Sequence, residues 1–302
     1  LGGYLIKRNA IKSEALTGWM FILPAIAGLA VFMIIPMILS LIISLTDWNY
    51  LDGISGIRIT GFDNYVSMWK DEWFIASLKN NFVFALVTVP ATMLFSLLSA
   101  LALNRGVFLK KSIRLMMFIP YVSSMVAVSI VWSNLFNPTQ GPINHFLRSM
   151  GMDNPPGWLS TTEWALPAIM IMTIWYNIGY NMIIYLAGLQ NIPRDLYEAA
   201  KIDGAGPFRS FSNITLPLLS PTTFFVLITC IINSFQVFIA IFIMTDGGPG
   251  TSTTVLTYYA YKAGFGFYKM GYASAMAWVL FVIILIITAL QWRGQKRWVH
   301  YS

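Results

Sequence analysis

The sequence predicts an all-α polytopic membrane protein with six transmembrane helices, and three observations carry that prediction. The chain is 57% hydrophobic and only 10% charged, too little polar surface to coat a water-soluble globule. Its apolar residues gather into stretches of about 20 or more, the length that crosses a hydrocarbon layer of roughly 30 Å at about 1.5 Å per residue. Inside those stretches Asp, Glu, Lys and His are absent, and Arg114 stands at the edge of one, where its stem can reach the interface.

The first span is expected at 19–45. It exceeds the apolar core of a signal peptide, about 7–15 residues, and no A-x-A-like cleavage pattern follows, so it is read as a retained helix. The others are expected at 81–103, 113–136, 165–189, 216–245 and 272–290, from hydropathy and length. Pro24, Pro36, Pro90 and Pro120 fall inside them; a helix bundle tolerates such prolines as kinks whose freed carbonyls find other donors. A cytoplasmic N-terminal segment at 1–18, a permease domain at 19–292 and a cytoplasmic tail at 293–302 complete the expected layout.

Loop cations set the orientation. Thirteen of the 19 Lys and Arg fall on one side, around Lys7, Lys110, Arg194 and Arg293, and the other side carries most of the acids. Lys and Arg are retained in the cytoplasm, so both termini are expected there. The net charge of +7 then reflects topology and requires no nucleic acid. Cys230 lies mid-span and, as the single cysteine, has no disulfide partner in the chain. His145 and His300 are too isolated for a catalytic or metal pair, so neither a catalytic residue nor a metal site is expected.

Two loops stand out. The external loop 46–79 is rich in Asp, Gly and aromatics, including Trp48, Tyr65, Trp69 and Trp73, and suits an ordered interfacial cap. The cytoplasmic segment 191–217 is polar, with a helical pattern from Arg194 through Ala200 and a break at Gly204, Gly206 and Pro207. Ala199 and Ala200 are small helix formers that allow a partner backbone to approach, Gly204 and Gly206 permit a turn, and Glu198 and Asp203 offer carboxylates to basic groups. For Glu198 a charge favoured by the helix dipole is the alternative.

The run Glu198-Ala199-Ala200-Lys201-Ile202-Asp203-Gly204, then nine residues, then Ile214-Thr215-Leu216-Pro217, resembles the EAA loop of binding-protein-dependent ATP-binding-cassette importers, E-A-A-x3-G-x9-I-x-L-P, at every defined position. The likeness extends over nearly the whole chain and is greatest to carbohydrate-uptake permeases of the maltose-transporter type. Gly61-Phe62-Asp63-Asn64-Tyr65, Ile119-Pro120, Gly247-Gly248-Pro249-Gly250 and Met270-Gly271-Tyr272-Ala273-Ser274-Ala275 carry it further.

The resemblance implies a coupling helix between the fourth and fifth spans that seats in a cytoplasmic ATPase subunit. It further implies a second homologous permease, two ATPase subunits, an extracytoplasmic solute-binding protein, a sugar or oligosaccharide as solute, and residence in a bacterial or archaeal cytoplasmic membrane. This chain has no G-x-x-x-x-G-K-[ST] phosphate loop, so it is expected to hold no cofactor and to be no enzyme; ATP and Mg belong to the partners. Ion-coupled transport is disfavoured because its relays use intramembrane carboxylates or histidines.

The spans are polar without charge. In the fourth, Thr173, Tyr176, Asn177 and Tyr180 recur at helical spacing with Asn181 beside them; in the fifth, Asn233 and Ser234 do likewise, flanked by Gln236. These eight are the candidate substrate pathway, suited to hydroxyl-rich solutes. The alternative for each is interhelical hydrogen bonding, worth about 0.6 kcal/mol per contact. A non-transporting membrane scaffold that docks a cytoplasmic partner through 191–217 is the alternative for the whole.

Overall fold

The computed structural model describes residues 18–104, 108–296 and 298–299. The N-terminal segment predicted over 1–18, except Gly18, lies outside the described residues, as do Arg105, Arg297, His300 and part of the predicted tail. Among the described residues the chain is helical, with two isolated bridges, Thr46 to Ile59 and Asn49 to Lys269, and no strand.

The helices in chain order are α1 (Gly18–Ser44), α2 (Asp63–Met68), α3 (Glu72–Asn104), α4 (Lys110–Val122) and α5 (Met125–Leu135). They continue with α6 (Pro142–Ser149), α7 (Ala165–Gln190), α8 (Arg194–Ile202) and α9 (Pro207–Leu218). The last four are α10 (Ser220–Phe235), α11 (Ile239–Met244), α12 (Leu256–Tyr261) and α13 (Met270–Gln295). Four of these, α1, α3, α7 and α13, are each long and apolar enough to cross a membrane, and the bent pairs α4/α5 and α9/α10 bring the total to six.

The spans predicted at 113–136 and 216–245 each contain a sharp elbow. Helix α4 meets α5 at 99° and α9 meets α10 at 63°. Pro120 removes one donor from the end of α4, and Ser123 and Ser124 adopt extended backbone (ψ 152° and 127°) that ends the ladder. At the second elbow Pro221 has no N–H for the Pro217 carbonyl, and the Ser220 hydroxyl donates to that carbonyl instead at 2.6 Å. The predicted fifth span also breaks before its end: α10 stops at Phe235 and α11 begins at Ile239. There Asn81 donates to the Phe235 carbonyl at 3.3 Å and Thr257 to the Val237 carbonyl at 2.5 Å, so side chains replace the lost helical donors.

Pro36 is absorbed differently. A widened π-turn at Ala30–Ile34 precedes it, and α1 continues to Ser44 without a break. The second half of α1 packs against α13.

Three buried clusters organise the bundle. The first gathers Phe84, Phe136, Trp158, Met172 and Ile241; the second gathers Leu103, Met182, Tyr185, Leu189 and Leu219; the third joins Met68, Phe74, Tyr259 and Met276. Helix α4 reaches α7 at Gly179, where a Cβ would collide with the Met117 carbonyl. Any larger residue would push the two helices apart.

The segment 46–79 is ordered, as its composition predicts. Asn64 donates to the Ser44 and Thr46 carbonyls at 2.9 Å each, tying α2 to the end of α1. Asp71 fastens the start of α3: one carboxylate oxygen accepts from the Trp73 amide at 2.9 Å. Its other oxygen accepts the Tyr259 and Tyr272 hydroxyls at 2.5 and 2.6 Å.

Candidate functional site

A cavity of about 590 Å³ opens where the first two clusters meet. It is lined by Thr173, Tyr176 and Asn177 of α7, by Thr88 and Thr92 of α3, by Tyr121 and Met125 at the α4/α5 elbow, and by the end of α10 through the α10/α11 break. Thr88 and Thr92 stand near the middle of α3, and Thr173 and Asn177 near the middle of α7, so the cavity lies at mid-depth of the bundle.

Six of the eight residues predicted from the span faces line this cavity: Thr173, Tyr176, Asn177, Asn233, Ser234 and Gln236. Their hydrogen bonds divide them. Asn177 donates back to the Thr173 carbonyl at 2.8 Å and Ser234 to the Ile231 carbonyl at 2.8 Å, the intrahelical pattern of a polar side chain on an apolar helix. The Asn177 amide oxygen has no partner among the described residues, and the Thr173 hydroxyl is likewise unpaired. Asn233 and Gln236 are exposed on the cavity side, and their side chains make no hydrogen bond to another described residue. Donors and acceptors therefore remain available to a guest.

Tyr176 has a different job. Its hydroxyl donates to the Tyr121 and Ser123 carbonyls at 3.1 and 3.3 Å, the groups freed where α4 ends, so it braces the elbow.

Tyr180 and Asn181 are not in the lining. Tyr180 stacks on Tyr121 with ring centroids 4.3 Å apart and planes 14° from parallel, and so supports a ring that does line the cavity. Asn181 is 3% exposed, donates to the Asn177 carbonyl at 3.0 Å, and keeps a buried Oδ1 without a partner. Span periodicity placed both on the polar face, but α3 and the α4/α5 elbow cover that part of it.

Tyr121, Thr88 and Thr92 are lining residues that the sequence reading missed. Two signals were present: Ser123-Ser124 after Pro120 marks a helix end, and Thr88, Thr92 and Ser96 recur at intervals of four on one face of α3. None of the lining residues is Asp, Glu, Lys, Arg or His.

The polar segment after α7 forms a helical hairpin. Glu198, Ala199 and Ala200 lie on α8, and Asp203 caps its end. Glu198 occupies the middle of α8 and Asp195 its first turn, which removes the dipole explanation for Glu198. Gly204 sits at φ +75°, the left-handed conformation that favours glycine, and the Ala205 amide closes the turn on the Ala200 carbonyl at 2.8 Å. Gly206 differs from the expectation: its backbone is extended (φ −72°, ψ 170°), open to any residue, and it serves as the N-cap of α9. Tyr197 shares a hydrogen bond with Thr215 at 2.9 Å, joining α8 to α9. Ile202 and Phe208 are 86% and 83% exposed at the hairpin tip.

Outside the spans, Asp71 is held below the usual carboxylate range. Burial pushes it upward, and bonds from Tyr259, Tyr272 and the Trp73 and Phe74 amides outweigh that. The Tyr259 hydroxyl is pushed up by burial and by the neighbouring carboxylate.

Residues 92–298 match the family described as binding-protein-dependent transport system inner membrane component. The lactose transport system permease protein LacF of Rhizobium radiobacter is 37% identical, over 92% of this chain and 94% of that protein. The sn-glycerol-3-phosphate transport system permease protein UgpA of Yersinia enterocolitica is 33% identical, over 94% and 95%. Among solved structures, a chain of the bacterial alginate ABC transporter in complex with an alginate pentasaccharide-bound periplasmic protein superposes with a TM-score of 0.82. That chain is 27% identical, with 96% of each chain covered.

Proposed function

Because the chain belongs to the family of binding-protein-dependent transport system inner membrane components, we propose that it is a permease subunit of an ATP-binding-cassette importer for a sugar or oligosaccharide. Its partners in this reading are a second homologous permease, two cytoplasmic ATPases that hold ATP and Mg, and an extracytoplasmic solute-binding protein. Both termini face the cytoplasm.

The observation that carries the reading is a mechanical connection. An exposed hairpin, α8 with the start of α9, is joined through the Tyr197–Thr215 bond to α9, and α9 turns through 63° into α10. The end of α10 supplies Asn233, Ser234 and Gln236 to the cavity. Displacement of the hairpin by a partner ATPase would thus move one wall of the cavity, as alternating access requires. Ile202 and Phe208 provide the apolar contacts of that joint, and Glu198 and Asp203 its charges.

The function test is uptake of labelled oligosaccharide into proteoliposomes holding both permeases and both ATPases, with binding protein added outside. Accumulation that requires ATP supports import; assembly of the complex without uptake favours the scaffold reading. Orientation is tested with single cysteines in a Cys230→Ala background. Ser55→Cys and Ser160→Cys should react with an impermeant thiol reagent from outside the cytoplasmic membrane, and Lys201→Cys solely after that membrane is breached. The opposite pattern overturns the orientation and the ATPase contact together.

A further inference from the structure

We infer that the solute carried along this path is a neutral saccharide, and that phosphorylated, sulfonated and uronic-acid glycans are excluded from it. The inference rests on the transport reading above and names the substrate class of the same cavity. Its ground is the lining itself. Every polar side chain that this chain offers there is uncharged, Thr173, Asn177, Asn233 and Gln236 among them.

A mid-membrane cavity must replace the water around whatever enters it. For a hydroxyl-rich neutral sugar the exchange is balanced, because amides and hydroxyls both donate and accept. Asn177, Asn233 and Gln236 can receive sugar O–H donors through their amide oxygens, and the last two keep free N–H groups for sugar oxygens. A fixed anion needs a cation or several donors aimed at it, and an unpaired buried charge is strongly unfavourable.

Of the Lys and Arg residues, Arg114 alone falls within the six apolar stretches predicted from the sequence. It sits seven residues before Tyr121 on the same helix face, about 10 Å toward the cytoplasmic end at 1.5 Å per residue, and does not line the cavity. A uronate or phosphate lodged at Asn177 and Asn233 would therefore depend for its charge pairing wholly on the opposite wall. Kinship leaves the matter open, since the relatives named above include transport systems for lactose, sn-glycerol-3-phosphate and alginate. The cavity chemistry separates them.

The test uses cells carrying the complete transporter, compared with a strain lacking this chain. Oligosaccharides released from mixed plant and microbial polysaccharides are divided by anion exchange into neutral and anionic fractions and offered separately, with lactose, maltotriose, sn-glycerol-3-phosphate and an alginate trisaccharide as defined probes. Depletion from the medium is followed by mass spectrometry. The expected result is transporter-dependent depletion of at least one neutral glycan, at least tenfold faster than that of any anionic one. Depletion of an anionic glycan at a comparable rate overturns the neutral assignment while leaving import intact. Depletion of neither fraction overturns the import reading and this inference with it.

Discussion

The cavity wall and the hairpin are both polar, yet they present polarity in opposite ways. In the wall, Asn177, Ser234 and Tyr176 first satisfy backbone carbonyls of their own or a neighbouring helix, and a guest meets what is left over. On the hairpin, Glu198 and Asp203 are exposed beside Ile202 and Phe208. Hydrocarbon cannot solvate a stray N–H or C=O, so a membrane cavity must be internally satisfied before it can recognise anything. An aqueous hairpin has water to serve that need, and its side chains stay free for a partner. Substitutions on the hairpin should therefore act on coupling alone, whereas those in the wall should divide by whether the residue faces the guest or braces the fold.

The largest effect is expected on the hairpin. Glu198→Lys inverts a charge at the proposed joint, and Gly204→Asp places a Cβ in the left-handed turn. Either change should abolish solute-stimulated ATP hydrolysis in the purified complex while the chain still inserts. Wild-type stimulation in both variants would remove the hairpin from the mechanism. Smaller effects are expected in the wall. Asn177→Ala and Asn233→Ala should each slow uptake by roughly fivefold to tenfold, the equivalent of about 1 to 1.5 kcal/mol for a lost hydrogen bond. Ile171→Ala and Phe225→Ala, on exposed faces of α7 and α10, serve as controls at equal expression. Tyr176→Phe, which loses the brace across the α4/α5 elbow, should lower the thermal midpoint while leaving solute selectivity unchanged. Equal uptake in the asparagine variants and the controls would make the wall mere helix packing.

The same contrast explains what could be read from sequence. The hairpin is contiguous: Glu198, Ala199, Ala200 and Gly204 were located by a local pattern, and their helix and turn are local as well. The misassigned role there, Gly206, is a backbone detail that composition does not encode. The wall is assembled from α3, α7, α10 and an elbow. Periodicity found Thr173, Asn177, Asn233 and Ser234, each on a helix unbroken at that point. It missed Tyr121 because a 99° bend lies within an apolar run that hydropathy reads as one span. It placed Tyr180 with Asn177 because helical spacing marks a face but not which neighbour covers it.

The smallest expected effect belongs to a polar group that joins helices outside the membrane core. Asp71 fastens α3, α12 and α13 through two tyrosine hydroxyls and caps α3 through the Trp73 and Phe74 amides. Burial raises its pKa, the four bonds together lower it by more, and the net folded value lies below the unfolded one. Stability from this knot is consequently complete above the ordinary carboxylate pKa and is lost as pH falls through the lowered folded value. Asp71→Asn retains the shape but exchanges a carboxylate that accepts all four bonds for an amide with one acceptor oxygen and a donor facing two tyrosine hydroxyls. The thermal midpoint of the detergent-purified complex at neutral pH should fall by a few degrees, with roughly 2–4 °C expected for each kcal/mol in a chain of about this size. The difference between wild type and variant should shrink as pH is lowered into the acid range, because protonation removes the same interactions from the wild type. Hydrogen bonds to an exposed charge would predict no loss at neutral pH, so an unchanged midpoint there would show that the cap is held by Asn64 and its apolar neighbours instead.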